Sequence, residues 1–180
     1  ARVLRPLPAD FSIPILVVQH ITTGFATGLA EWLDRETALQ VDLAGHGDKP
    51  RSGRVLIAPD DYHLQMNVRG LVELCKEPPH KGLRPSANYL FHSLAQAYGP
   101  RSVGVILTGM GDDGVDGLER IHLAGGLTMA QDEQSCVVYG MPREAIARKV
   151  VDQILNPEQI ALTLTHMATK TAGKKEVAYG

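Results

Sequence analysis

The chain has 180 residues, 44% of them apolar and 21% charged, with a formal net charge of −2. That size and composition suit one globular domain with enough core to fold alone, and the near balance of charge gives no sign of a nucleic-acid or membrane-surface partner. No apolar run approaches the ~20 residues of a membrane helix, no signal peptide is visible, and Cys75 and Cys136 form no C-x-x-C pair, so both read as free thiols in a reducing, cytoplasmic setting.

The chain opens on Ala1-Arg2-Val3 without an initiator Met, as a chain that starts partway into a domain would. "SIPILVVQH" (Ser12–His20) is a short run rich in β-branched residues, the pattern of a strand buried on both faces. In "TGFATGLAEWLDRET", Phe25, Leu29, Trp32 and Leu33 recur at helical spacing and predict a helix. "LQVDLA" is a weaker strand candidate, and "RVLIAP" (Arg54–Pro59) a second short buried strand. "YHLQMNVRGLVELCK" alternates about a turn at Asn67–Gly70, which predicts a β-hairpin. Lys76–Pro85, with three prolines and a glycine, is a loop.

Ser86 is placed to cap a helix whose apolar face is Leu90, Phe91, Leu94, Ala95 and Tyr98, ended by Gly99 and Pro100. "VGVILTGMGDDGVDG" (Val103–Gly117) is a strand, a glycine-rich turn and the start of a helix from about Gly114 to Ala124, stopped by Gly125–Gly126. "LTMAQD" is a further strand, "SCVVYGMP" is mixed, and Pro142 suits the first position of a helix through Arg148. Asn156, Pro157 and Gln159 announce a last helix to about Thr169. Residues 1–170 therefore read as one domain and residues 171–180 as a polar tail. Strands alternating with helices predict an α/β fold: a doubly wound, mostly parallel sheet with helices on both faces and one hairpin, Rossmann-like in outline.

In such sheets ligands bind beyond the carboxyl ends of the strands. Two places qualify: His20, which ends the first strand, and the turn "GMGDDG" (Gly109–Gly114). The turn fits G-x-G-x-x-G, and Asp132 and Glu133 follow Gly114 by 18 and 19 residues, near the offset of a ribose-binding acid. Electrostatics oppose a dinucleotide there. Two carboxylates beside a pyrophosphate repel it, by on the order of 4 kcal/mol per close charge pair. A calcium loop fails on spacing, and His20 and His122 lack paired ligand spacing, so no metal is expected.

An Asp before a helix is an ordinary cap, worth ~1 kcal/mol, but one suffices where two stand. A His and an Asp at neighbouring carboxyl ends can instead form a hydrogen-bonded pair, the acid orienting the base. A nucleophile would complete a triad. Of the six serines, Ser12, Ser52 and Ser102 lie at the wrong end or in the wrong setting, and Ser93 lies inside a helix. Ser86 and Ser135 are in loops that could reach the site, but neither sits on a tight strand-to-helix turn. The residues alone thus yield a base and its acid, with the nucleophile unassigned.

"VVQHITTGF", "APDDYH", "RPSANYLFHSLA", "GVILTGMGDDGVDGL" and "AQDEQSCVVYGMPREAI" resemble, in order and spacing, the catalytic domain of the protein-glutamate methylesterases of bacterial chemotaxis, over about Pro6–Thr169. The resemblance implies hydrolysis of γ-methyl esters of glutamate on the cytoplasmic helices of methylated chemoreceptors and, in many members, deamidation of receptor glutamines, with no cofactor. It matches the family's His to His20 and its Asp to Asp113, leaving Asp112 as the variable position and a helix cap or bystander. Met110, with Gly111, matches the oxyanion region. The family's serine lies in an S-T-G-G turn that no residue here matches, so the chain as given is expected to be inactive by itself. The resemblance also implies a receiver domain in the full-length protein. Arg84, in the proline-rich loop, is a candidate contact for acidic receptor helices.

Overall fold

Successive side chains of a strand face opposite ways, and in the computed structural model, which describes residues 1–176 with side chains to Thr169, that alternation sorts the apolar residues into two cores. Strands β1 (Ile15–Val17), β2 (Gln40–Leu43) and β3 (Arg54–Ile57) pair in parallel in the order β1-β3-β2. Strands β6 (Val103–Ile106), β7 (Leu127–Gln131) and β8 (Gln153–Leu155) pair in parallel in the order β6-β7-β8. Ile15, Val17, Val55, Ile57, Val103, Val105 and Met129 all face one core, so the two half-sheets form one layer. Helix α1 (Ala26–Glu36) covers that face with Ala30 and Leu33, and α5 (Pro157–Glu176) with Ile160, Ala161 and Leu164.

The other face carries Leu16, Leu56 and Ile106. Helices α2 (Ala87–Tyr98), α3 (Val115–Leu123) and α4 (Met141–Ala147) cover it with Leu90, Phe91, Leu118, Ile121 and Ala145, joined by Leu64 and Val72 of the hairpin β4 (His63–Met66)–β5 (Val72–Cys75). The hairpin turns where expected. The Asn67 carboxamide oxygen accepts the N–H groups of Arg69 and Leu71, and Gly70 takes a φ of +76° that a side chain would resist. The α/β fold with parallel strands between two helical layers is the one the sequence predicts.

Several boundaries differ from expectation. The first strand is three residues long, because β3 stops at Ile57 and the Ala58 N–H then closes on the Val17 carbonyl. Helix α1 has the expected spacing and turns Leu29 and Leu33 of the expected set toward the core, together with Ala26 and Ala30, whereas Phe25 and Trp32 are exposed. Small residues let the helix lie close on β2, where the Asp34 carboxylate accepts the Val41 N–H at 2.9 Å. Strand β8 has only three residues, two of them exposed, too few for a visible alternation. Helix α4 begins at Met141, with Pro142 in its first turn, and ends at Ala147. Helix α5 runs past Thr169 to Glu176, taking in residues 171–176 of the expected tail; residues 177–180 lie outside the described residues.

The α2–α3 crossing positions the site. A Cβ at Gly117 would stand 2.6 Å from the Phe91 Cβ and 3.1 Å from the Asn88 backbone, and the Asn88 side chain accepts the Gly117 N–H at 2.8 Å. Substituting Gly117→Ala gains about 1 kcal/mol of helix propensity, yet should destabilise the protein by a net 1–2 kcal/mol, roughly, through overpacking. The measurement is the urea midpoint at unchanged m-value; a raised midpoint would show that the helices part freely.

Candidate active site

The chain runs on from β1 to His20, and from β6 into the turn at Gly109–Gly114, so both sequence-selected groups lie at the carboxyl ends of parallel strands in neighbouring half-sheets. The structure brings them together: His20 Nε2 stands 2.8 Å from Asp113 Oδ2. A carboxylate accepts, so Nε2 donates and Nδ1 is the nitrogen left to act as a base. The His20 side chain is a quarter exposed; Asp113 is 2% exposed.

A buried carboxylate needs donors. Asp113 has three. The Ser86 hydroxyl donates to Oδ1 at 2.5 Å, and the Ala87 N–H and His20 donate to Oδ2 at 2.6 Å and 2.8 Å. Burial by itself pushes the Asp113 carboxyl up, but the bonds from His20, Ser86 and Ala87 together outweigh it and hold the group below the usual carboxylate range. The acid therefore stays ionised. Ser86 caps α2 as expected, its hydroxyl accepting the Asn88 N–H at 3.3 Å, and is fully buried. It is thus a support of the acid and not a nucleophile. Ser135 is bonded to Asp132 and Gln131. Among the described residues no serine bonds to His20.

The two adjacent acids of the turn separate. Of the two readings of Asp112, cap or bystander, its side chain caps nothing: Gly114 caps α3 in the left-handed region (φ +89°), and the Asp112 carboxylate pairs with Lys81. Asp132 accepts the N–H of Ser135 and so closes its own turn. Arg84 is held within its own part of the fold, paired with Asp61 and donating to the carbonyls of Lys76 and Glu77. That pair holds the Asp61 carboxyl below its ordinary value.

The turn is stapled to the loop before α4. The Gly109 N–H donates to Val138 O, the N–H groups of Gly140 and Met141 return to Gly109 O, and Thr108 Oγ1 accepts from Val137 and Val138. A Cβ at Gly140 would stand 2.6 Å from Gly109 O, so only glycine permits this approach. Among the described residues, the N–H groups of Met110 and Gly111 donate to no protein acceptor. Met110 is 83% exposed. It borders an open cleft of about 500 Å³ with Gly111, Val138, Tyr139, Gly140 and Arg143. Uncommitted N–H groups on the turn that carries the acid partner of an oriented imidazole suit the stabilisation of an oxyanion near a proton-transfer base. No group of three or more His, Cys, Asp or Glu among the described residues is arranged to hold a metal ion.

The sequence reading missed His63, which lies behind Ser86, and the Asp60 carboxylate, which accepts the Gly24 N–H at 3.0 Å in the stretch after His20. The only signal for His63 was a histidine inside an apolar hairpin strand.

A protein-family model described as CheB methylesterase matches residues 1–164. The chain is 47% identical over 164 residues to protein-glutamate methylesterase/protein-glutamine glutaminase 4 of Myxococcus xanthus, covering 91% of this chain and 46% of that protein. It is 50% identical over 167 residues to protein-glutamate methylesterase/protein-glutamine glutaminase 2 of Anaeromyxobacter dehalogenans, covering 93% and 49%. It therefore spans about half the length of the curated relatives it matches. Among solved structures, the CheB methylesterase catalytic domain of Thermotoga maritima superposes with a TM-score of 0.89 at 36% identity, covering 92% of this chain and 89% of that one.

Asp113→Ala leaves the Ser86 hydroxyl and Ala87 N–H without their acceptor and should cost about 2–4 kcal/mol at neutral pH. Because the folded carboxyl lies below its ordinary value, this contribution is present above about pH 4 and is lost as pH falls through the folded value. Denaturation of both proteins between pH 2 and 7 should show the stability gap closing toward the acid end; a gap constant with pH would contradict the assignment.

Proposed function

The chain belongs to the CheB methylesterase family, and from that premise we propose that it supplies the acid–base half of a serine hydrolase acting on γ-methyl esters of receptor glutamates. Receptor glutamine amides are hydrolysed by the same route. The observation that carries the reading is the 2.8 Å bond from His20 Nε2 to the buried Asp113, on the same turn as the uncommitted N–H groups of Met110 and Gly111.

The nucleophile is the serine of an S-T-G-G turn, carried on chain upstream of residue 1. Two features favour this source. Among the described residues β1 pairs only with β3 and β6 only with β7, so each is an edge strand of its half-sheet, and both face the same core. A parallel strand laid between them would deliver the turn at its carboxyl end between His20 and Met110.

His20 Nδ1 takes the serine proton as Oγ attacks the ester carbonyl carbon. The N–H groups of Met110 and Gly111, with donors from the serine turn, hold the developing oxyanion, each worth ~3–4 kcal/mol. His20 returns the proton to the departing methanol oxygen, or to ammonia from an amide, leaving an acyl-enzyme. It then deprotonates the water that attacks the acyl carbon and returns that proton to the serine Oγ as the acyl C–Oγ bond breaks, releasing the glutamate. Asp113 stays ionised throughout, fixing the ring and stabilising the imidazolium.

A protein substrate is favoured by the apolar side chains left exposed here: Ile21 and Phe25 on the stretch after His20, and Met110, Val137 and Val138 along the turn and the loop stapled to it. The cation at the cleft is Arg143, two-thirds exposed and paired with Glu144, and it, unlike Arg84, lies on the cleft wall where an acidic receptor helix would meet it.

The full-length protein should release methanol from methylated receptor, and His20→Ala should lower kcat by on the order of 10⁴ or more. Near-parental turnover in that variant would remove His20 from the mechanism. Receptor binding without methanol release by the parent protein would make the domain a binding module.

A further inference from the structure

His63 lies behind the reacting pair, wholly buried, with its ring stacked on Tyr89 of α2 at 3.7 Å between centroids and 13° between planes. Its two ring nitrogens meet backbone groups of opposite polarity. Nδ1 faces the Ser86 N–H at 3.2 Å, and Nε2 faces the Pro78 carbonyl at 3.3 Å. A peptide N–H can only donate, so Nδ1 must offer its lone pair. A carbonyl can only accept, so Nε2 must carry the proton. One neutral tautomer satisfies both contacts, and no other protonation state does. Desolvation lowers the proton affinity of His63, which favours that neutral form.

The contact does more than fill a core. Ser86 is the residue whose hydroxyl holds Asp113 Oδ1, and the next residue, Ala87, gives its N–H to Oδ2, the oxygen that receives His20. The Ser86 backbone is anchored by His63 on one side while its side chain anchors the acid on the other. A shift of the Ser86 N–H therefore moves two of the three donors on the carboxylate.

We propose that His63 is a positioning residue for the reacting pair: its Nδ1 lone pair fixes the Ser86 N–H, and thereby sets the Ser86 hydroxyl and Ala87 N–H that hold Asp113 against His20. This rests on the dyad geometry, and on the hydrolase reading only for its effect on rate.

The test uses full-length protein with ¹⁵N-labelled histidine and backbone amides. The parent should show a scalar coupling between His63 Nδ1 and the Ser86 amide nitrogen, transmitted through the hydrogen bond. Exchange of the His20 Nε2 proton with water should quicken roughly tenfold in His63→Leu, which keeps bulk and lacks an acceptor. His63→Asn, whose side-chain oxygen can stand near the Nδ1 position, should recover most of the protection. On methylated receptor, His63→Leu should lower kcat by about 10–100-fold with KM within about twofold, and His63→Asn should restore most of that loss.

Should His63→Leu fail to fold, Ser86→Ala keeps His63 and the backbone N–H while removing the hydroxyl donor. It should quicken the same exchange, with Ser86→Thr restoring it. The proposal is overturned if the folded His63→Leu protein exchanges and turns over like the parent, if His63→Asn loses as much as His63→Leu, or if Ser86→Ala leaves the exchange unchanged. The exchange measurements need no esterase activity, so a failure of the hydrolase reading would show in the parent's turnover alone.

Discussion

An ionised carboxylate sealed from water is tolerated only where donors converge on it, and Asp113 is such a group. Its three donors come from two places far apart in the chain: Ser86 and Ala87 at the start of α2, and His20 beyond β1. Satisfying this one residue requires the β6–α3 turn, the first turn of α2 and the end of β1 to meet within hydrogen-bond distance. The α2–α3 crossing, made close by Gly117 and tied by Asn88, holds two of the three in register.

The glycines of the turn take their meaning from the same constraint. Gly114 adopts a left-handed conformation between Asp113 and α3, so the chain can aim the acid inward and still begin a helix immediately. Gly140 has no Cβ to collide with the Gly109 carbonyl, so the loop before α4 closes on the turn and consumes the donors and acceptors of Thr108 and Gly109. The N–H groups of Met110 and Gly111 are left uncommitted at the cleft as a consequence of that closure. Charge is sorted too: Asp112 faces outward to Lys81, and Asp113 faces the buried donors.

His20 and the GMGDDG turn were legible from the residues, because parallel strands announce themselves as short apolar runs and their carboxyl ends are where such folds place chemistry. Which of the two adjacent acids meets His20 was not. That depends on a backbone direction set by Gly114, and the letters are identical; family resemblance, not spacing, chose Asp113. Ser86 was legible as a helix cap, since capping is local, but its second bond is tertiary and left no trace in the spacing. His63 had weaker signal still, because its partners are backbone groups of a loop and a helix start. In α1, Leu29 and Leu33 face in as the periodicity suggests, while Ala26 and Ala30 are buried and Phe25 and Trp32 exposed, so periodicity finds a helix and the closeness of β2 sets the edges of its buried stripe.

The His20–Asp113 pair also spans a divide. His20 follows a strand of one half-sheet and Asp113 a strand of the other, and among the described residues no backbone ladder joins β1 to β6. What joins the halves is the shared core, where Ile15 and Val17 meet residues such as Val105, Met129 and Ile160, together with the 2.8 Å bond itself. Interiors at native density transmit small shifts rather than absorb them, so the distance between base and acid is a property of how the half-sheets pack. Holding the acid from behind through Ser86 and Ala87 counters that dependence on one side only. The His20 ring, with Nε2 committed to Asp113, takes its position from the acid, and whatever fixes Asp113 also aims Nδ1.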